Sequence, residues 1–573
     1  MASPSASPPA SGDGTLPIDA PHYVDGGAMQ WHDHCDVLVV GLGAAGAASA
    51  IEASDHGADV LICERFDGGG ATALSGGVVY AGGGTAYQKA AGYDDTPTAM
   101  ARYLATEVGD AVRPETLDRF CQESVGLLQW LESLGVPFAS EPKPPKTSYP
   151  RDGVYLYFSG NEAVPENAAI AAPAPRGHRC RATGMSGAAL YQYLRRAVDE
   201  RPIRVRTQTA TRRLVVDQAT GRVLGVEVAT LPPGSAAARR HQRLSRLAQR
   251  LHNVAGGLAD RLRVKARRLE DEHADIQHIE ARNGVVLTTG GFIFNRDMVA
   301  KHAPAYSGNL RLGATGCDGS GIRLGQSVGA QCARLEKVSA WRFINPPSPW
   351  PQGLIVNAEG QRFCNEEVYG ARLGVRMCEE HGGRAWLIVD RAIRRRAIRE
   401  ALFGKLWAFQ SIPALLMMWF APRARTLAGL ARRLKMTTAA LEAAAHAMND
   451  AIDQQRDDPM GKSDGMRHAL REPPFYALNI SADNPTFPCP AITLGGLRID
   501  EGNGQVLNAA DDAIPGLFAA GRAAVGLASN GYVSGLSLAD CFWSGRRAGR
   551  NAATRSEDAA AFAEADAIER KAG

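Results

Sequence analysis

The chain reads Asp36-Val37-Leu38-Val39-Val40-Gly41-Leu42-Gly43-Ala44-Ala45-Gly46 at the point that decides its fold. The apolar, β-branched start predicts a buried parallel strand, and the alanines that follow up to residue 53 predict a helix. Between the two, Gly41 allows a tight turn, Gly43 lets a pyrophosphate approach the backbone, and Gly46 lets helix and strand pack closely. The N-terminus of the helix then faces the phosphates. The stretch therefore predicts the start of a dinucleotide-binding βαβ unit.

A second strand, residues 59–63, supports this interpretation because it ends at Glu64. That acid lies about twenty residues beyond the glycines, where a ribose hydroxyl needs an acceptor. The alternative is a βαβ unit that binds no nucleotide.

A second glycine-rich segment, residues 68–85, bears on which dinucleotide is bound. So many glycines imply backbone amides that lie against a large, flat group. A flavin has that shape, whereas a nicotinamide dehydrogenase has no need of a second glycine-rich segment here. The alternative is a glycine-rich surface loop.

This second segment resembles its counterpart in the fumarate reductase and 3-ketosteroid dehydrogenase flavoproteins, where it passes the isoalloxazine ring. The C-terminal stretch Ser529-Asn530-Gly531-Tyr532-Val533-Ser534-Gly535-Leu536-Ser537-Leu538-Ala539-Asp540 is similar to that of the FAD-dependent 3-ketosteroid Δ4-(5α)-dehydrogenases. The resemblance extends from about residue 31 to residue 549 and is weakest in two basic inserts, 239–270 and 391 to about 438. It implies an α/β fold: a Rossmann-like FAD-binding domain of the glutathione reductase type, with an inserted α+β capping or substrate domain.

The resemblance also implies that the cofactor is FAD. We expect non-covalent binding, since no histidine or cysteine adjoins the flavin turns. The first amides of the helix after Gly535 would face the pyrimidine edge of the flavin and stabilise negative charge there. The residues assigned to FAD are Gly41, Gly43, Ala44, Ala45, Gly46, Glu64, Arg65, Ala71, Thr72, Ser75, Gly76, Gly77, Gly290, Asp318, Gly521, Arg522, Ser537 and Leu538.

Composition and local pattern divide the chain into four parts. Residues 1–30 are rich in Ser, Pro, Ala and Gly without an apolar run, which predicts a disordered tail rather than a secretory signal. Residues 31–338 are predicted to form the first part of the FAD-binding domain, with a basic helical insert at 239–270. A shift to Trp and Pro near residue 339 marks a capping or substrate domain up to 466, and residues 467–573 complete the FAD-binding domain.

Composition excludes several functions. The net charge of +4 over 573 residues gives no electrostatic reason to bind nucleic acid. The ten cysteines are scattered without paired spacing, which indicates a reducing compartment and no structural metal. No stretch is long and apolar enough to predict a transmembrane helix. We therefore expect a cytoplasmic protein.

The resemblance implies catalytic roles for Tyr532, Ser534 and Tyr369 in the dehydrogenation of a 3-keto-5α-steroid to its 4-ene. This reaction needs a polarised ketone, a base for the adjacent proton, and a hydride acceptor, which flavin N5 supplies. We assign Tyr532 as the base and Ser534 as its hydrogen-bonded relay. Tyr369 would bind the ketone oxygen or assist proton transfer, and the two tyrosines can exchange roles. An external electron acceptor would reoxidise the flavin.

Other functions compete with this one. A reductase of unsaturated acids, of the fumarate or urocanate type, would use Arg342 or Arg372 to bind a carboxylate. The place of the substrate-binding histidine of fumarate reductases is taken here by Ile492-Thr493, which counts against that reading. A 3-ketosteroid Δ1-dehydrogenase is a further enzymatic alternative. A flavin-binding protein without redox turnover is the alternative from another class.

The two basic inserts suggest how an apolar substrate reaches the protein. Leucines recur at helical spacing within 239–270 among many arginines, and a basic run at 391–399 leads into the apolar segment 406–420. Such helices suit an anionic membrane surface, and we predict peripheral membrane contact through 239–270 and 391–420. The alternative is that both apolar faces are buried against the protein.

Overall fold

The computed structural model describes residues 14–25 and 29–554. Its strands are β1 (His22–Val24), β2 (Asp33–Val40), β3 (Val60–Cys63), β4 (Val78–Tyr80), β5 (Leu156–Tyr157), β6 (Gly177–Arg179), β7 (Ile203–Arg206), β8 (Thr209–Asp217), β9 (Val223–Thr230), β10 (Asp275–Leu287), β11 (Leu310–Arg311), β12 (Cys332–Ala333), β13 (Val338–Ala340), β14 (Leu354–Val356), β15 (Trp386–Val389), β16 (Arg423–Ala424), β17 (Phe475–Asn479), β18 (Pro490–Thr493), β19 (Gly496–Leu497), β20 (Gln505–Leu507) and β21 (Ala513–Ala519).

The helices connect these strands along the chain. They are α1 (Ala44–Asp55), α2 (Gly70–Leu74), α3 (Ala86–Ala90), α4 (Pro97–Val108), α5 (Pro114–Ser133), α6 (Pro165–Ala168), α7 (Gly187–Asp199), α8 (Ala236–Leu251), α9 (Gly256–His273), α10 (Arg296–His302), α11 (Ser320–Ser327), α12 (Gly370–Glu380), α13 (Arg391–Phe403), α14 (Ala408–Phe420), α15 (Leu427–Leu434), α16 (Thr438–Asp453) and α17 (Leu536–Ala553).

The main sheet has the strand order β1-β8-β9-β10-β2-β3-β7, and β21 pairs with β10 on a branch that β20 extends. The strands β7, β3, β2, β10 and β21 are parallel to their neighbours in this series. The long strand β10 also pairs antiparallel with β9 through its first half, so it joins the parallel part to the β8–β9 hairpin. The predicted α/β architecture is confirmed.

Two helices cover one face of the parallel strands. The side chains of Val37 and Val39 point to this face and pack with α1 and α17, whereas Leu38 and Val40 contribute to the core on the opposite face. An added Cβ at Gly545 of α17 would lie 2.6 Å from the Ala45 carbonyl oxygen, so only glycine permits this approach to α1. The helix α1 is thereby fixed between the sheet and the C-terminal helix.

A separate four-stranded antiparallel sheet, β14-β15-β17-β16, forms with α12 to α16 the region predicted as the cap. One boundary differs from the prediction. The segment 473–477 was expected to return the chain to the FAD-binding domain, but β17 pairs with β15 and β16 inside the cap sheet. The chain leaves this sheet only after Asn479, because β17 is a buried apolar strand with β15 paired on one side and β16 on the other.

The predicted disordered tail is wrong for residues 14–25. The strand β1 adds to the edge of the main sheet beside β8, with His22 opposite Val215. The Leu16 side chain is 3% exposed, and its amide donates a hydrogen bond to Asp318. Residues 1–13 and 26–28, which were also assigned to this tail, lie outside the described part of the chain.

The two basic inserts form helix pairs. The insert at 239–270 becomes α8 and α9, with the break between them at residues 252–255. The second insert contains α13 and α14, and Pro413 lies inside α14. Across residues 14–25 and 29–554, no helix combines the length and apolarity needed to cross a bilayer.

Candidate active site

The two predicted glycine segments meet at a cavity of about 270 Å³ beyond the C-terminal ends of β2 and β3. This position follows from the parallel sheet, since ligands bind where its strands end. Gly41 adopts φ +100°, a conformation that L side chains rarely adopt, and so makes the turn out of β2. Of the residues assigned to FAD, those lining the cavity are Gly41, Gly43, Ala44, Ala45, Glu64, Arg65, Ala71, Thr72, Gly290 and Arg522.

Glu64 fixes the shape of the glycine turn. Its carboxylate accepts hydrogen bonds from the Leu42 amide at 2.7 Å and the Phe66 amide at 2.8 Å. Burial raises the pKa of this carboxyl, and the two backbone hydrogen bonds oppose the rise. An ionised carboxylate offers about four acceptor positions, so Glu64 keeps capacity for the predicted ribose hydroxyl.

Three features of this cavity fit FAD. The N-cap of α1 is Gly43, which has no side chain to satisfy the first amides of the helix, and these amides suit a phosphate. Gly46 packs so tightly that an added Cβ would lie 2.0 Å from the Gly41 carbonyl oxygen. Arg522 contributes a buried Nη1 with no hydrogen-bond partner among the described residues. An unsatisfied guanidinium nitrogen in the cavity suits an anionic or carbonyl-rich group.

The remaining residues assigned to FAD lie around the cavity. Ser75 accepts a hydrogen bond from the Gly77 amide. Gly76 lies so close to the Tyr149 ring that a Cβ added to it would overlap with the ring. Asp318 forms an ion pair with Arg65 at 2.9 Å. The others are Gly46 and Gly521, which pack on α1 or its turn, and Ser537 and Leu538, which lie in the first turn of α17.

Helix α8 of the pair α8–α9 contributes to one wall of the cofactor cavity, which the sequence did not predict. Gln249 lines the cavity, and its amide group binds the Gly313 carbonyl and the Thr315 amide, each at 3.3 Å. At the base of the pair, Glu270 forms an ion pair with Arg65 at 2.9 Å. It also lies 3.0 Å from His241 Nε2.

The charge of Glu270 is stabilised by these neighbours. Burial opposes its ionisation, but the Arg65 charge and the hydrogen bond from His241 outweigh that effect and lower the carboxyl pKa to about 2. Arg65 thus connects Glu270 of the insert with Asp318 beside the glycine turn. The insert is therefore joined to the cofactor site by a buried ionic network.

The three predicted catalytic residues lie in one aromatic cluster. Tyr369 caps the N-terminus of α12, and its amide donates to Asn161 Oδ1 at 2.6 Å. Ser534 lies two residues before α17 and is paired through its backbone with Ser159. Tyr532 packs 5.0 Å from Trp341, ring centre to ring centre. The cap and the C-terminal segment thus supply the two tyrosines from opposite sides.

The partners of Ser534 differ from the predicted ones. Its hydroxyl lies 3.3 Å from the Tyr157 hydroxyl, and Ser534 is also near enough to Tyr369 to oppose the rise that burial causes in the pKa of that tyrosine, whereas the prediction paired it with Tyr532. Tyr157 belongs to the aromatic segment 155–161 and was not predicted as a site residue. Nothing in its sequence context distinguished it from Tyr155 or Phe158.

The pKa values of the two tyrosines are shifted by their surroundings. Burial raises the pKa of Tyr369, and its hydrogen bond with Ser534 opposes the rise. Burial also raises the pKa of Tyr532, and the Arg522 charge opposes it. Of the two, Tyr532 is the one whose ionised form is favoured by a neighbouring cation. This difference supports Tyr532 as the proton acceptor.

A smaller cavity, of about 60 Å³, adjoins Tyr369 on the cap side. Lys146 lines it, and its Nζ has no hydrogen-bond partner within residues 14–25 and 29–554. Burial lowers the pKa of this lysine. The wall combines apolar side chains such as Phe158, Ile344 and Val368 with polar and charged ones, which are Thr147, Ser148, Asn345, Glu366 and Glu367.

Of the two arginines of the carboxylate-binding alternative, Arg372 is engaged and Arg342 is engaged only in part. Arg342 is fully buried, donates to the Phe487 carbonyl at 2.7 Å and stacks on the Phe487 ring, but its Nε and Nη2 have no hydrogen-bond partner among the described residues. Arg372 forms ion pairs with Glu107 and Glu166. Thr493, in the place of the histidine, accepts a hydrogen bond from the Phe292 amide. These contacts weigh against a dicarboxylate substrate.

Comparison with known proteins agrees with this geometry. Residues 36–538 match the family described as FAD binding domain. The chain is 45% identical, over 86% of its length and 93% of the relative, to a 3-oxo-5-alpha-steroid 4-dehydrogenase of Comamonas testosteroni. It is 27% identical to a 3-oxosteroid 1-dehydrogenase of Mycobacterium tuberculosis, over 87% of this chain and 94% of the relative.

A solved structure shows the same fold. The crystal structure of 3-ketosteroid-delta4-(5alpha)-dehydrogenase from Rhodococcus jostii RHA1, in complex with 4-androstene-3,17-dione, matches with a TM-score of 0.78 and 30% identity. The match covers 94% of this chain and 100% of that one. The chain belongs to the FAD binding domain family, as a homologue of the 3-oxo-5-alpha-steroid 4-dehydrogenase, and its cofactor is FAD.

Proposed function

We propose that this protein dehydrogenates a 3-keto-5α-steroid to the 4-ene-3-ketosteroid. The observation that carries this proposal is the cluster of Tyr369, Ser534 and Tyr532, which lies beside Arg522 of the cofactor cavity. The names of the Comamonas and Rhodococcus relatives support the same substrate class.

The reaction requires removal of a proton from carbon 4, next to the ketone. The Tyr369 hydroxyl, supported by the nearby Ser534, would donate to the ketone oxygen and make this proton acidic. Tyr532 would accept the proton, since the Arg522 charge favours its ionised form. FAD, when bound, supplies an acceptor for the hydrogen of carbon 5, which leaves with its electron pair.

Other side chains would position the steroid and the catalytic groups. The rings of Trp341 and Phe343 pack against Tyr532 and Tyr369 and present an apolar surface to the steroid. Asn161 is fully buried and fixes the Tyr369 backbone through its side-chain oxygen. Together these contacts orient both tyrosines before substrate arrives, which general acid–base catalysis requires.

Product analysis tests this function against its rivals. The FAD-loaded enzyme is incubated with a 3-keto-5α-steroid and an external electron acceptor, and the product is identified by mass spectrometry and NMR. We expect a double bond between carbons 4 and 5. A double bond between carbons 1 and 2 would indicate a Δ1-dehydrogenase. No steroid oxidation, together with reoxidation of reduced enzyme by an unsaturated acid, would indicate a reductase.

The pair α13–α14 also supports peripheral membrane contact. Its outward face, here called the α13–α14 apolar face, is unusually exposed: Phe403 is 76% and Phe420 is 80% accessible. Patches of this kind mark interaction sites. The other exposed members of the face are Leu402, Phe409, Ile412, Leu416 and Trp419.

Charge complementarity points to an anionic lipid surface as the partner of this face. Exposed basic residues, Arg391, Arg395, Arg399 and Lys405, adjoin it on the same helix and in the following turn. Each such charge contributes about 1 kcal/mol near an anionic bilayer. The N-terminus of α14 lies near the Gly76 turn: Trp407, the residue before the helix, donates to the Pro150 carbonyl, and the neighbouring Tyr149 donates from its hydroxyl to the Gly76 carbonyl. A steroid dissolved in the bilayer would thus enter near the cofactor.

Vesicle co-sedimentation tests the membrane contact. We expect binding to vesicles that contain phosphatidylserine at low salt, and weaker binding at high salt or with neutral phosphatidylcholine. Absence of sedimentation with anionic vesicles at low salt would contradict the proposal.

A further inference from the structure

Three side chains that the mechanism does not use meet at the edge of the main sheet. His22, Glu227 and His278 come from β1, β9 and β10, and their ligating atoms all lie within 4.8 Å of one another. His278 lies directly opposite Glu227 in the antiparallel ladder, with its Nε2 3.1 Å from Glu227 Oε2. His22 adds its ring from the neighbouring edge, 5.8 Å from the His278 ring centre.

We propose that these residues form a binding site for a divalent transition-metal ion of the zinc class. Two imidazoles and one carboxylate are a donor set that Zn²⁺ favours, with water completing the coordination. Zinc bonds of about 2.0–2.2 Å at tetrahedral angles put donor atoms about 3.3–3.5 Å apart. His278 Nε2 and Glu227 Oε2 are already this close, and rotation of the His22 side chain would bring in the third donor. Because all three residues lie on strands of one sheet, the backbone that carries the ligands is already in place.

The surroundings orient the carboxylate. Arg213 Nε lies 3.1 Å from Glu227 Oε1, which leaves Oε2 directed at His278. The Glu227 side chain is 11% exposed and the His278 side chain 19%, so a metal could enter from solvent without unfolding. His32 lies nearby, but its Nδ1 already accepts a hydrogen bond from the His278 amide. The site thus has a defined set of ligands and a supporting neighbour for one of them.

The metal would connect β1 to the rest of the sheet and thereby act on the cofactor cavity. The chain that leads into β1 lines that cavity through Leu16, whose amide binds Asp318, the partner of Arg65. The strand β1 is short and at the edge, and within residues 14–25 and 29–554 it pairs only with β8. A bond from His22 to a metal shared with β9 and β10 would strengthen that attachment.

Zinc titration of the FAD-loaded full-length chain tests the proposal. After chelator treatment and removal of the chelator, calorimetry with Zn²⁺ should show one saturable site per chain. His22→Ala and His278→Ala should each weaken this binding at least about tenfold. His32→Ala is the matched control and should keep the site. Absence of a saturable site in the parent, or a Zn²⁺ affinity in both ligand variants equal to that of the parent, would overturn the proposal.

A second readout separates metal binding from general damage to the fold. Hydrogen exchange of residues 14–25 should slow when Zn²⁺ is added to the parent chain and should not change in His22→Ala. Unchanged exchange in the parent at saturating Zn²⁺ would contradict the attachment of β1. Equal thermal unfolding of parent and variants without metal would show that the variants are folded.

Discussion

The two basic helix pairs of this chain share a pattern of basic and apolar residues but contact different surroundings. Both combine arginines with apolar residues at helical spacing. In the pair α8–α9, Gln249 lines the cofactor cavity and Glu270 forms an ion pair with Arg65, which also lines it. The pair α13–α14 instead buries Met417 and Met418 and leaves Phe403 and Phe420 in solvent. Helical periodicity thus predicts a helix with two faces, but not what either face contacts.

Removal of the Glu270 carboxylate should give the largest difference in stability between a substitution in α8–α9 and one in α13–α14. Glu270→Ala leaves Arg65 with one partner fewer in a buried network, which typically costs about 3–5 kcal/mol. We expect lower stability and weaker FAD binding, measured by denaturant unfolding and by flavin fluorescence. The matched control is Glu400→Ala in α13, where the carboxylate caps Ser348 at the surface. It should cost less than about 1 kcal/mol; equal effects in the two variants would contradict the difference between the pairs.

Acidic pH should weaken the ionic network of Glu270 and Arg65. The pKa of Glu270 is lowered to about 2 from an ordinary 4.5, so its contribution to stability is complete above the ordinary value. That contribution, about 3 kcal/mol by linkage, is lost as pH falls from about 5 towards 2. Unfolding of Glu270→Gln should therefore depend less on pH than unfolding of the parent. Parallel stability–pH curves for the two proteins would show that Glu270 does not carry this effect.

Binding to vesicles should change only when exposed residues of α13–α14 are substituted. Burial of a phenylalanine contributes about 1.5–3 kcal/mol, so Phe403→Ser and Phe420→Ser should each weaken binding to anionic vesicles about 10- to 100-fold. Val254→Ser is the matched control: Val254 is 84% exposed, but it lies between α8 and α9. Co-sedimentation measures all three. An equal loss in Val254→Ser would assign the membrane contact to both pairs.

The sequence was informative where function depends on contiguous residues. The glycine turn, Glu64 and both helix pairs follow from local pattern, and the parallel core follows from apolar strands. Contacts between distant segments were not predictable. Examples are β17 in the cap sheet, the Tyr157–Ser534 contact and the ordered segment before β1. Each depends on which faces meet in space, and no spacing within one segment encodes that.

The central claim is that Tyr532 and Ser534 act on a 3-keto-5α-steroid at the FAD site. Anaerobic stopped-flow mixing of the FAD-loaded enzyme with such a steroid tests it directly, since flavin absorbance reports reduction. We expect rapid bleaching in the parent and in the control Tyr87→Phe, whose hydroxyl binds Glu132 away from the site. Tyr532→Phe and Ser534→Ala should keep the FAD spectrum and bleach about 10²- to 10⁴-fold more slowly. Bleaching within a few-fold of the parent in both variants, or no bleaching by steroid in the parent, would contradict the claim.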